Sequence, residues 1–276
     1  MFSFLVLYSN DRIEQFKKSI NFWNNCELFE DCEKIICSDG LSNFKPEGFK
    51  LFEIPRLTQH YCWANTINTG VQNCSFENIF YFDCDRIVPK NYFSHCLNVL
   101  QNENCFVFAK YLYSLRHDLS IHKIKHIIND VKNYSDELIE DHRVLDPRII
   151  RRKNPFSGGV GFRKQTFLNA GGFDPRYKGW GYPDTDFFYN THIRGHKFVP
   201  IDVCELHQKH DYNVNSYLEL RLHNLWNCRQ YIEKWNLPKD SLEKFRVELS
   251  VSHKSLYQSG TLSEFLDHVF KKIKLF

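Results

Sequence analysis

Short apolar runs separated by amphipathic segments fill the first 113 residues, and this alternation constrains the fold more than any other feature. The apolar runs predict buried strands at 2–9, 34–40, 49–55, 77–85 and 105–113. Helical spacing predicts a helix at 11–23, where Asp11 is placed to cap. A second helix is expected in 62–74, up to Gly70, and a third begins at Pro89 and ends near Leu100. Strands that alternate with helices indicate βαβ units. We therefore predict an α/β fold with a mostly parallel sheet.

The rest of the chain divides by composition. Residues 114–153 are polar and rich in His and predict an insertion, partly helical over 120–142. A further strand is expected at 196–203 and a helix at 213–236. The tail 259–276 starts with a capping-box pattern and carries one apolar stripe, which fits either a core-packed helix or a peripheral membrane helix. We predict one domain over 1–210 and a helical extension over 211–276.

Bulk properties exclude several classes of protein. No apolar run approaches the length that spans a bilayer, and the first residues lack the basic start of a signal peptide. The net charge of +3 is too small to argue for nucleic acid. The ten cysteines form no C-x-x-C pair, so we interpret them as free thiols in a reducing compartment. We expect a cytoplasmic protein, with peripheral contact to the inner membrane face as an option for the tail.

Acidic residues follow two of the predicted strands. Asp39 ends the second, and Asp83 and Asp85 end the fourth. Ligands of parallel α/β sheets bind beyond the carboxyl ends of the strands. Residues i and i+2 of a strand point the same way, so Asp83 and Asp85 can share a ligand while Cys84 faces the other side. Two such carboxylates repel unless a cation lies between them, which suggests Mg²⁺ or Mn²⁺ bridging to phosphate. The alternative is a solvated acidic corner.

A second group of chemically useful residues lies in the glycine-rich stretch 156–190. Gly158 and Gly159 would let the backbone approach a ligand closely. Trp180 lies between two glycines, and Asp184 is expected to start a helix through residue 192. An ionised aspartate within reach of a hydroxyl can act as a general base. The alternative is that Asp184 only caps the helix and Trp180 only anchors the core.

Two histidines follow the late strand. His207 and His210 stand in "ELHQKHD". A histidine at this position could complete a metal site that begins with Asp85, and the alternative is a structural or exposed side chain.

These motifs in this order resemble the GT-A fold of nucleotide-sugar glycosyltransferases, in the inverting group that includes family 2 and the galactosyltransferase carboxy-terminal segment. The order is strand–D-x-D, then "SGGVGFRK", "GGFD" and "GWGYPDTDF", then a late His. The resemblance covers about residues 2–210 and is densest at 156–198. It implies a Rossmann-like, mostly parallel central sheet with helices on both faces, followed by the C-terminal helical segment.

The resemblance also implies roles for the donor-side residues. Asp39 in "CSDG" matches the acid that contacts the nucleotide base or ribose. Asn68 stands in the N-x-G segment before the D-x-D strand and is expected near the donor. Asp85 matches the direct ligand of Mn²⁺ or Mg²⁺, and Asp83 matches the acid shared between metal and ribose.

The later motifs carry over in the same way. Gly158 and Gly159 match the loop near the donor sugar, and Trp180 matches the tryptophan that lines the sugar and acceptor pocket. Asp184 matches the catalytic base. His207 matches the third metal ligand, with His210 as second choice.

Two departures from the family pattern concern specificity. The usual basic residue upstream of the D-x-D strand is missing, and Tyr61, Cys62 and Trp63 stand there. Pro183 replaces the glutamate that binds acceptor or sugar hydroxyls in the family, and proline has no side-chain hydrogen bond to offer. The resemblance therefore implies an active enzyme with unusual acceptor or donor specificity.

The expected activity is metal-dependent, inverting transfer of a hexose or pentose from a nucleoside-diphosphate sugar, UDP-sugar favoured, to an acceptor hydroxyl. A surface glycan or glycolipid is the expected acceptor. Two alternatives stay open. One is a hydroxylated base in DNA, whose phosphates the basic cluster 148–153 would contact. The other is a nucleotide-sugar-binding relative that lost catalysis through Pro183.

Overall fold

A computed structural model describes residues 1–55, 63–114, 149–151, 156, 158–179, 181–208 and 217–236. The chain forms two compact units, one joining Met1–Pro175 to Asp184–Asn213 and the other joining Arg176–Pro183 to Val214–Phe276. The division predicted at residue 210 stays a prediction. The helical part of the predicted insertion, the tail 259–276, Trp180 and His210 lie outside the described residues.

A mixed sheet of nine strands forms the centre of the first unit. The strands are β1 Ser3–Tyr8, β2 Glu33–Asp39, β3 Phe49–Ile54, β4 Asn78–Asp83, β5 Arg86–Ile87, β6 Cys105–Ser114, β7 Ile149–Arg151, β8 Val160–Arg163 and β9 Lys197–His207. Their order is β3-β2-β1-β4-β8-β6-β9-β5, and β7 pairs with β6. The four neighbours β3, β2, β1 and β4 are parallel to one another, and β6 is parallel to β9. Strand β8 pairs antiparallel with β4 and β6, β5 with β9, and β7 with β6. The predicted α/β sheet is confirmed, and β7 lies inside the predicted insertion.

Helices cover both faces of this sheet. A 3₁₀ turn at Asn10–Arg12 leads into α1 Ile13–Trp23, followed by α2 Trp63–Asn73, α3 Tyr92–Asn102, α4 Lys164–Asn169 and α5 Pro183–Ile193. The second unit contains α6 Tyr217–Lys234. Among the helices described, none is long and apolar enough to cross a membrane.

The alternation of side chains along β1 divides the core into two clusters. Phe4 and Val6 pack on one face with residues of α1 and α3, and Leu5 and Leu7 pack on the other face with residues of α2, α4 and α5. Aromatic rings fill both clusters. The Phe4 ring centroid, for example, lies 4.7 Å from that of Trp23. Burial of these rings on two faces is the main apolar contribution to folding.

Several predicted boundaries differ from the observed ones. Asp11 does not cap α1, because it lies inside the 3₁₀ turn and Arg12 is the residue that precedes the helix. The Asp11 carboxylate accepts a hydrogen bond from the Ser9 hydroxyl instead. Pro89 does not start α3. Its carbonyl accepts the Tyr92 N–H in a turn that precedes the helix. Strand β9 runs to His207, four residues beyond the predicted end, so the late histidine lies on the strand itself.

An extra residue interrupts the pairing between β6 and β9. Ala109 pairs with Ile201, but Tyr111 pairs with Cys204, so two steps along β6 match three steps along β9. This is a β-bulge in β9. It changes which side chains of β9 face each side of the sheet beyond this point.

The nine described cysteines are free and buried. Burial raises the pKa of Cys26, Cys37 and Cys74 to about 12. The thiolate is the reactive form, so these three thiols are inert core side chains at neutral pH.

Glu33 joins three strands at the end of the sheet where the parallel strands begin. Its carboxylate accepts hydrogen bonds from the Ser3 hydroxyl and from the backbone N–H and hydroxyl of Ser75, and Lys50 Nζ lies 2.7 Å from Oε1. Burial alone would raise the pKa of Glu33, but the bonds from Lys50, Ser3 and Ser75 lower it to about 2. The ionised carboxylate is therefore part of the folded state.

Replacement of this carboxylate should weaken the fold in a pH-dependent way. Glu33→Gln should lower the free energy of unfolding at pH 7 by about 1.5–3 kcal/mol, the usual value of hydrogen bonds to a charged group. Because the pKa of Glu33 is lowered on folding, its contribution is present above the ordinary glutamate pKa and is lost as pH falls towards about 2. Urea denaturation between pH 7 and pH 2 measures both effects.

The exposed Glu14, which pairs with Lys17 on α1, provides the control. Glu14→Gln should change the unfolding free energy by less than about 0.5 kcal/mol. Equal losses in the two variants, or the same acid dependence in Glu33→Gln as in the unchanged chain, would contradict the assignment.

Candidate functional site

The two aspartates of the D-x-D motif lie where β4 ends. Asp83 is the last residue of the strand and pairs with Leu7 of β1, and the Cys84 N–H donates to the Leu7 carbonyl. Cys84 is buried in the core cluster that also contains Phe82. Its side chain therefore points away from the acids, as alternation predicts.

Arg86 lies between the two acidic side chains. Its Nε and Nη2 donate to Asp83 Oδ2 at 3.3 and 3.1 Å, and Nε lies 3.5 Å from Asp85 Oδ1. The Arg86 side chain is 7% exposed. The sequence pattern calls for a cation between the carboxylates, and in the folded chain a protein side chain supplies one.

Asp85 is fully buried among further basic groups. Arg12 Nη1, from the 3₁₀ turn after β1, lies 2.7 Å from Asp85 Oδ2, and His207 Nε2 lies 3.3 Å from the same oxygen. Burial alone would raise the pKa of Asp85, but His207, Arg12 and Arg86 hold it well below its usual range. Asp85 is therefore ionised at neutral pH.

Strand pairing explains how His207 reaches Asp85 across more than one hundred residues. Strand β5 begins directly after Asp85 and pairs antiparallel with the end of β9, where Arg86 is opposite His207. The Gln208 N–H then donates to the Asp85 carbonyl at 3.0 Å. Asp85 and His207, both predicted metal ligands, are thus brought together by backbone pairing.

Asp85 and His207 are in direct hydrogen-bond contact, and the separation of the two atoms also fits neighbouring ligands of one metal ion. Neighbouring ligands of an octahedral ion with bonds of ~2.1 Å lie about 3 Å apart, and Asp85 Oδ2 and His207 Nε2 are 3.3 Å apart. A carboxylate suits Mg²⁺ and Mn²⁺, whereas an imidazole is more typical of zinc, copper, iron and nickel sites. Within the described ranges no three His, Cys, Asp or Glu side chains form a complete ligand set.

Gly158 and Gly159 lie against a buried glutamate. The Gly159 N–H donates to both carboxylate oxygens of Glu205, at 3.0 and 2.9 Å, and the Tyr92 hydroxyl lies 3.5 Å from the Gly159 carbonyl. A Cβ at Gly158 would lie 2.5 Å from Glu205 Oε1, and one at Gly159 would lie 2.3 Å from a carbon of the Phe82 ring. Packing against protein atoms therefore requires both glycines, whether or not a ligand approaches them.

Two predicted donor contacts have different surroundings. Asp39 ends β2 and is 6% exposed, and it lies at the same sheet edge as Asp83 because β2, β1 and β4 are parallel neighbours. Asn68 of α2 donates to the Phe173 carbonyl and accepts from the Phe173 N–H, at 2.7 and 2.9 Å. Its amide holds the "GGFD" segment in place, and its contact with the donor stays a prediction.

Asp184 is the second residue of α5, directly after Pro183. Proline suits this first position because it has no N–H to satisfy. Burial raises the pKa of Asp184 above its usual value, and the charge of Asp83 raises it further. Backbone N–H bonds from Thr185 and from Asp184 itself oppose this rise. Asp184 thus lies within electrostatic range of the D-x-D pair, with a pKa displaced towards that of a useful base.

The chain segment that replaces the family's upstream basic residue belongs partly to the core. The Trp63 ring packs on those of Phe173 and Tyr81, with centroids 4.6 and 6.0 Å away. Trp63 therefore supplies packing and no charge. Tyr61 and Cys62 lie outside the described residues.

In the second unit, one asparagine holds the loop that contains Trp180. Asn227 of α6 is fully buried and donates to the carbonyls of Lys178 and Gly181, both at 2.8 Å. Its oxygen accepts the Lys178 N–H at 3.1 Å. The two residues that flank Gly179 and Trp180 are thus fixed to one side chain.

Three charged residues of the site do not follow from the sequence motifs. They are Arg12, Arg86 and Glu205. Glu205 stands two residues before His207, so the period of a strand places both on the same face. Arg86 follows Asp85 directly. Arg12 gives no comparable signal, because a turn brings it to Asp85 from 73 positions away.

Comparison with known proteins identifies the family of this chain. A family model described as "Glycosyltransferase like family 2" matches residues 33–235. A chondroitin synthase of Escherichia coli is 24% identical over 207 residues, which cover 64% of this chain and 30% of that protein. The chain therefore spans about a third of the length of this relative.

Solved structures support the same fold. GalNAc-T7, solved with UDP, GalNAc and Mn²⁺, superposes with a TM-score of 0.57 at 13% identity, over 84% of this chain and 47% of that one. TarS 1–349 of S. aureus superposes with a TM-score of 0.51 at 10% identity, over 75% and 60%. The predicted GT-A fold is confirmed.

Added volume at the glycine pair should destabilise the protein. Gly159→Ala places a methyl group against the buried Phe82 ring, and overpacking of this kind costs about 3 kcal/mol. Gly171→Ala is the control, because its Cβ would meet nothing within 4 Å and only the φ of +86° opposes it, at about 1 kcal/mol. Chemical denaturation measures the free energy of unfolding of the two variants. A loss at Gly159 no larger than that at Gly171 would show that the loop is not closely packed.

Proposed function

Since this chain belongs to the glycosyltransferase family 2-like proteins, we propose that it transfers a sugar from a nucleoside-diphosphate sugar to an acceptor hydroxyl, with inversion at the anomeric carbon and with a divalent metal ion. The observation that carries this proposal is the meeting of Asp83, Asp85 and His207 at the carboxyl ends of the parallel strands, with Asp184 close enough to sense the charge of Asp83.

Asp85 and His207 would hold the metal ion, with Asp83 beside them. When bound, Mn²⁺ or Mg²⁺ would neutralise charge on the diphosphate leaving group. The separation of the two ligands supports this role, and the carboxylate oxygen suits both Mg²⁺ and Mn²⁺. The relative GalNAc-T7 was solved with Mn²⁺ and UDP, which makes these the first ligands to test.

Asp184 is the proposed base. Its carboxylate takes the proton of the acceptor hydroxyl as that oxygen bonds to the anomeric carbon. The bond from the anomeric carbon to the diphosphate oxygen breaks on the opposite side, and the diphosphate leaves with the electron pair. The raised pKa of Asp184 supports this role, because a carboxylate with an ordinary pKa accepts a proton poorly at neutral pH.

The donor would lie along the edge formed by the ends of β2 and β4. We assign the nucleotide to Asp39 and the ribose to Asp83, which end the two strands that pair with β1 on either side, β2 and β4. The sugar is assigned to the Gly158–Gly159 backbone, with Asn68 supporting the donor side. Trp180 is assigned to the sugar and acceptor pocket from the sequence motif alone.

The acceptor is proposed to be a glycan, such as a surface polysaccharide or glycolipid. The curated relative is a chondroitin synthase, an enzyme named for a polysaccharide product. No observation of the described residues favours a nucleic-acid acceptor, whose predicted contacts lie in the basic cluster 148–153. Membrane contact through 259–276 stays a prediction.

Removal of the base should slow transfer without loss of donor binding. Asp184→Asn should lower kcat by about 10²–10⁴, the usual contribution of general base catalysis, and leave the Kd for UDP with Mn²⁺ within a factor of about three. Asp186→Asn, two residues along the same helix, should retain kcat within about tenfold. Near-normal turnover by Asp184→Asn would exclude it as the base.

Nucleotide and metal should stabilise the native protein together. In a thermal-shift screen of UDP-, GDP-, CDP- and dTDP-sugars, we expect a UDP-sugar with Mn²⁺ to raise Tm by about 5–10 °C at 100 times Kd, and EDTA to abolish the rise. His207→Ala should lose the part of this rise in Tm that depends on Mn²⁺. His196→Ala, just before β9, should keep it. An unchanged response in His207→Ala would remove this residue from the metal site.

A further inference from the structure

A fully buried glutamate beside the site has no role in the chemistry proposed above. Glu205 lies in β9, two residues before His207, and its side chain is 0% exposed. Burial of an isolated carboxylate is costly, so such a group is retained in the core only where partners compensate its charge.

The first partner of Glu205 is the backbone of the glycine loop. Both oxygens accept the Gly159 N–H, and Gly158 approaches so closely that a methyl group there would clash with Oε1. A hydrogen bond between a backbone N–H and a buried carboxylate is stronger than one between neutral groups. The position of this loop therefore depends on Glu205.

The second partner of Glu205 is Arg86. Arg86 Nη1 lies 3.5 Å from Glu205 Oε1, while Nε and Nη2 of the same guanidinium contact Asp83 and Asp85. A single buried guanidinium thus contacts three carboxylates. The planar fork of an arginine can serve several oxygens at once, which a lysine ammonium does less well.

We propose that Glu205 and Arg86 are positioning residues that join the Gly158–Gly159 loop to the Asp83–Asp85 pair. Glu205 fixes the loop, and Arg86 links Glu205 to the aspartates, so the sugar-side backbone and the metal-side carboxylates move as one unit. Neither residue contacts the reacting atoms. The functional meaning of this link rests on the proposed glycosyltransfer, whereas the contacts themselves do not.

The link has an electrostatic consequence for metal binding. Glu205 compensates part of the charge of Arg86. Without that negative charge, Arg86 is neutralised by Asp83 and Asp85 alone, and these two carboxylates then attract a divalent cation less strongly. Loss of a residue that orients metal ligands from outside the ligand set typically weakens metal affinity 10–100-fold.

Glu205→Gln tests both parts, because it keeps the shape of the side chain and removes its charge. In the metal-free protein, we expect amide exchange at Gly159 to become at least about tenfold faster, measured on the peptide that contains it. In the presence of UDP, we expect the Kd for Mn²⁺ to rise about tenfold or more, measured by titration calorimetry.

Glu33→Gln is the matched control. It also removes a buried carboxylate, but at the opposite end of the sheet. It should lower stability and leave both the Gly159 exchange rate and the Kd for Mn²⁺ within a factor of about two. The comparison separates a positioning role from general destabilisation. Unchanged Gly159 exchange in Glu205→Gln, or an equal loss of Mn²⁺ affinity in both variants, would overturn the proposal.

A double-mutant cycle tests the direct link between Arg86 and Glu205. Arg86→Met leaves buried carboxylates without their cation and should lower Tm by about 10 °C. The double variant Arg86→Met with Glu205→Gln should show a smaller decrease in Tm than the sum of the decreases in the two single variants. The difference should be about 3 °C or more. Additive losses would overturn the link. If Arg86→Met does not fold, Arg86→Lys takes its place in the cycle.

Failure of the proposed function gives a different pattern. If the unchanged protein binds no Mn²⁺ with UDP, the glycosyltransfer proposal fails, and Gly159 exchange and the cycle still decide whether Glu205 and Arg86 position the loop. If Mn²⁺ and UDP bind but Glu205→Gln has no effect on either readout, the positioning role fails while the proposed function stands.

Discussion

The cost of burying charge governs the edge of this sheet. Asp85 and Glu205 are fully buried and Asp83 is partly so, and burying a carboxylate is costly unless partners compensate its charge. Arg86 is the shared cation that makes the arrangement stable. The short strand β5 has two residues, and one of them is Arg86. Its pairing with β9 fixes both the guanidinium and the histidine opposite it, so one antiparallel pair brings Arg86 and His207 to the two aspartates.

Much of the fold could be predicted, because local patterns decide it. Continuous apolar runs identify buried strands without any tertiary information, and β1 to β4 follow that pattern. Helix ends were predicted less well. Asp11 has the right chemistry for a cap, but it lies in the 3₁₀ turn, where its carboxylate accepts a hydrogen bond from the Ser9 hydroxyl. Pro89 suits a helix start, yet the chain turns once before α3 begins. Such competition between near-equal local bonds is decided by packing, which a sequence pattern does not contain.

The candidate site could be predicted in part, for a related reason. Asp39, Asp83 and Asp85 follow strands, so their common edge follows from the parallel order of the sheet. Glycines are harder to interpret, because closeness to a ligand and closeness to a side chain need the same residue. Gly159 fits against Phe82 and Glu205, which explains its small size without a ligand. Arg12 could not be predicted, since a turn and not a strand brings it to Asp85.

The extra residue in β9 decides on which side of the sheet the late histidine lies. Before it, Val199 and Ile201 pack on the same core face as Ala109. Strict alternation would keep the odd-numbered residues, Glu205 and His207 among them, on that face. The bulge shifts the alternation by one residue. Glu205 therefore pairs with Leu112 of β6 and points to the side of the sheet on which Asp83 lies. A homologue that is one residue shorter here could keep the strand and the hydrophobic core. Its histidine would then point to the opposite face of the sheet, away from the aspartates. Sequence alignments of this segment should therefore be judged by odd and even position as much as by residue identity.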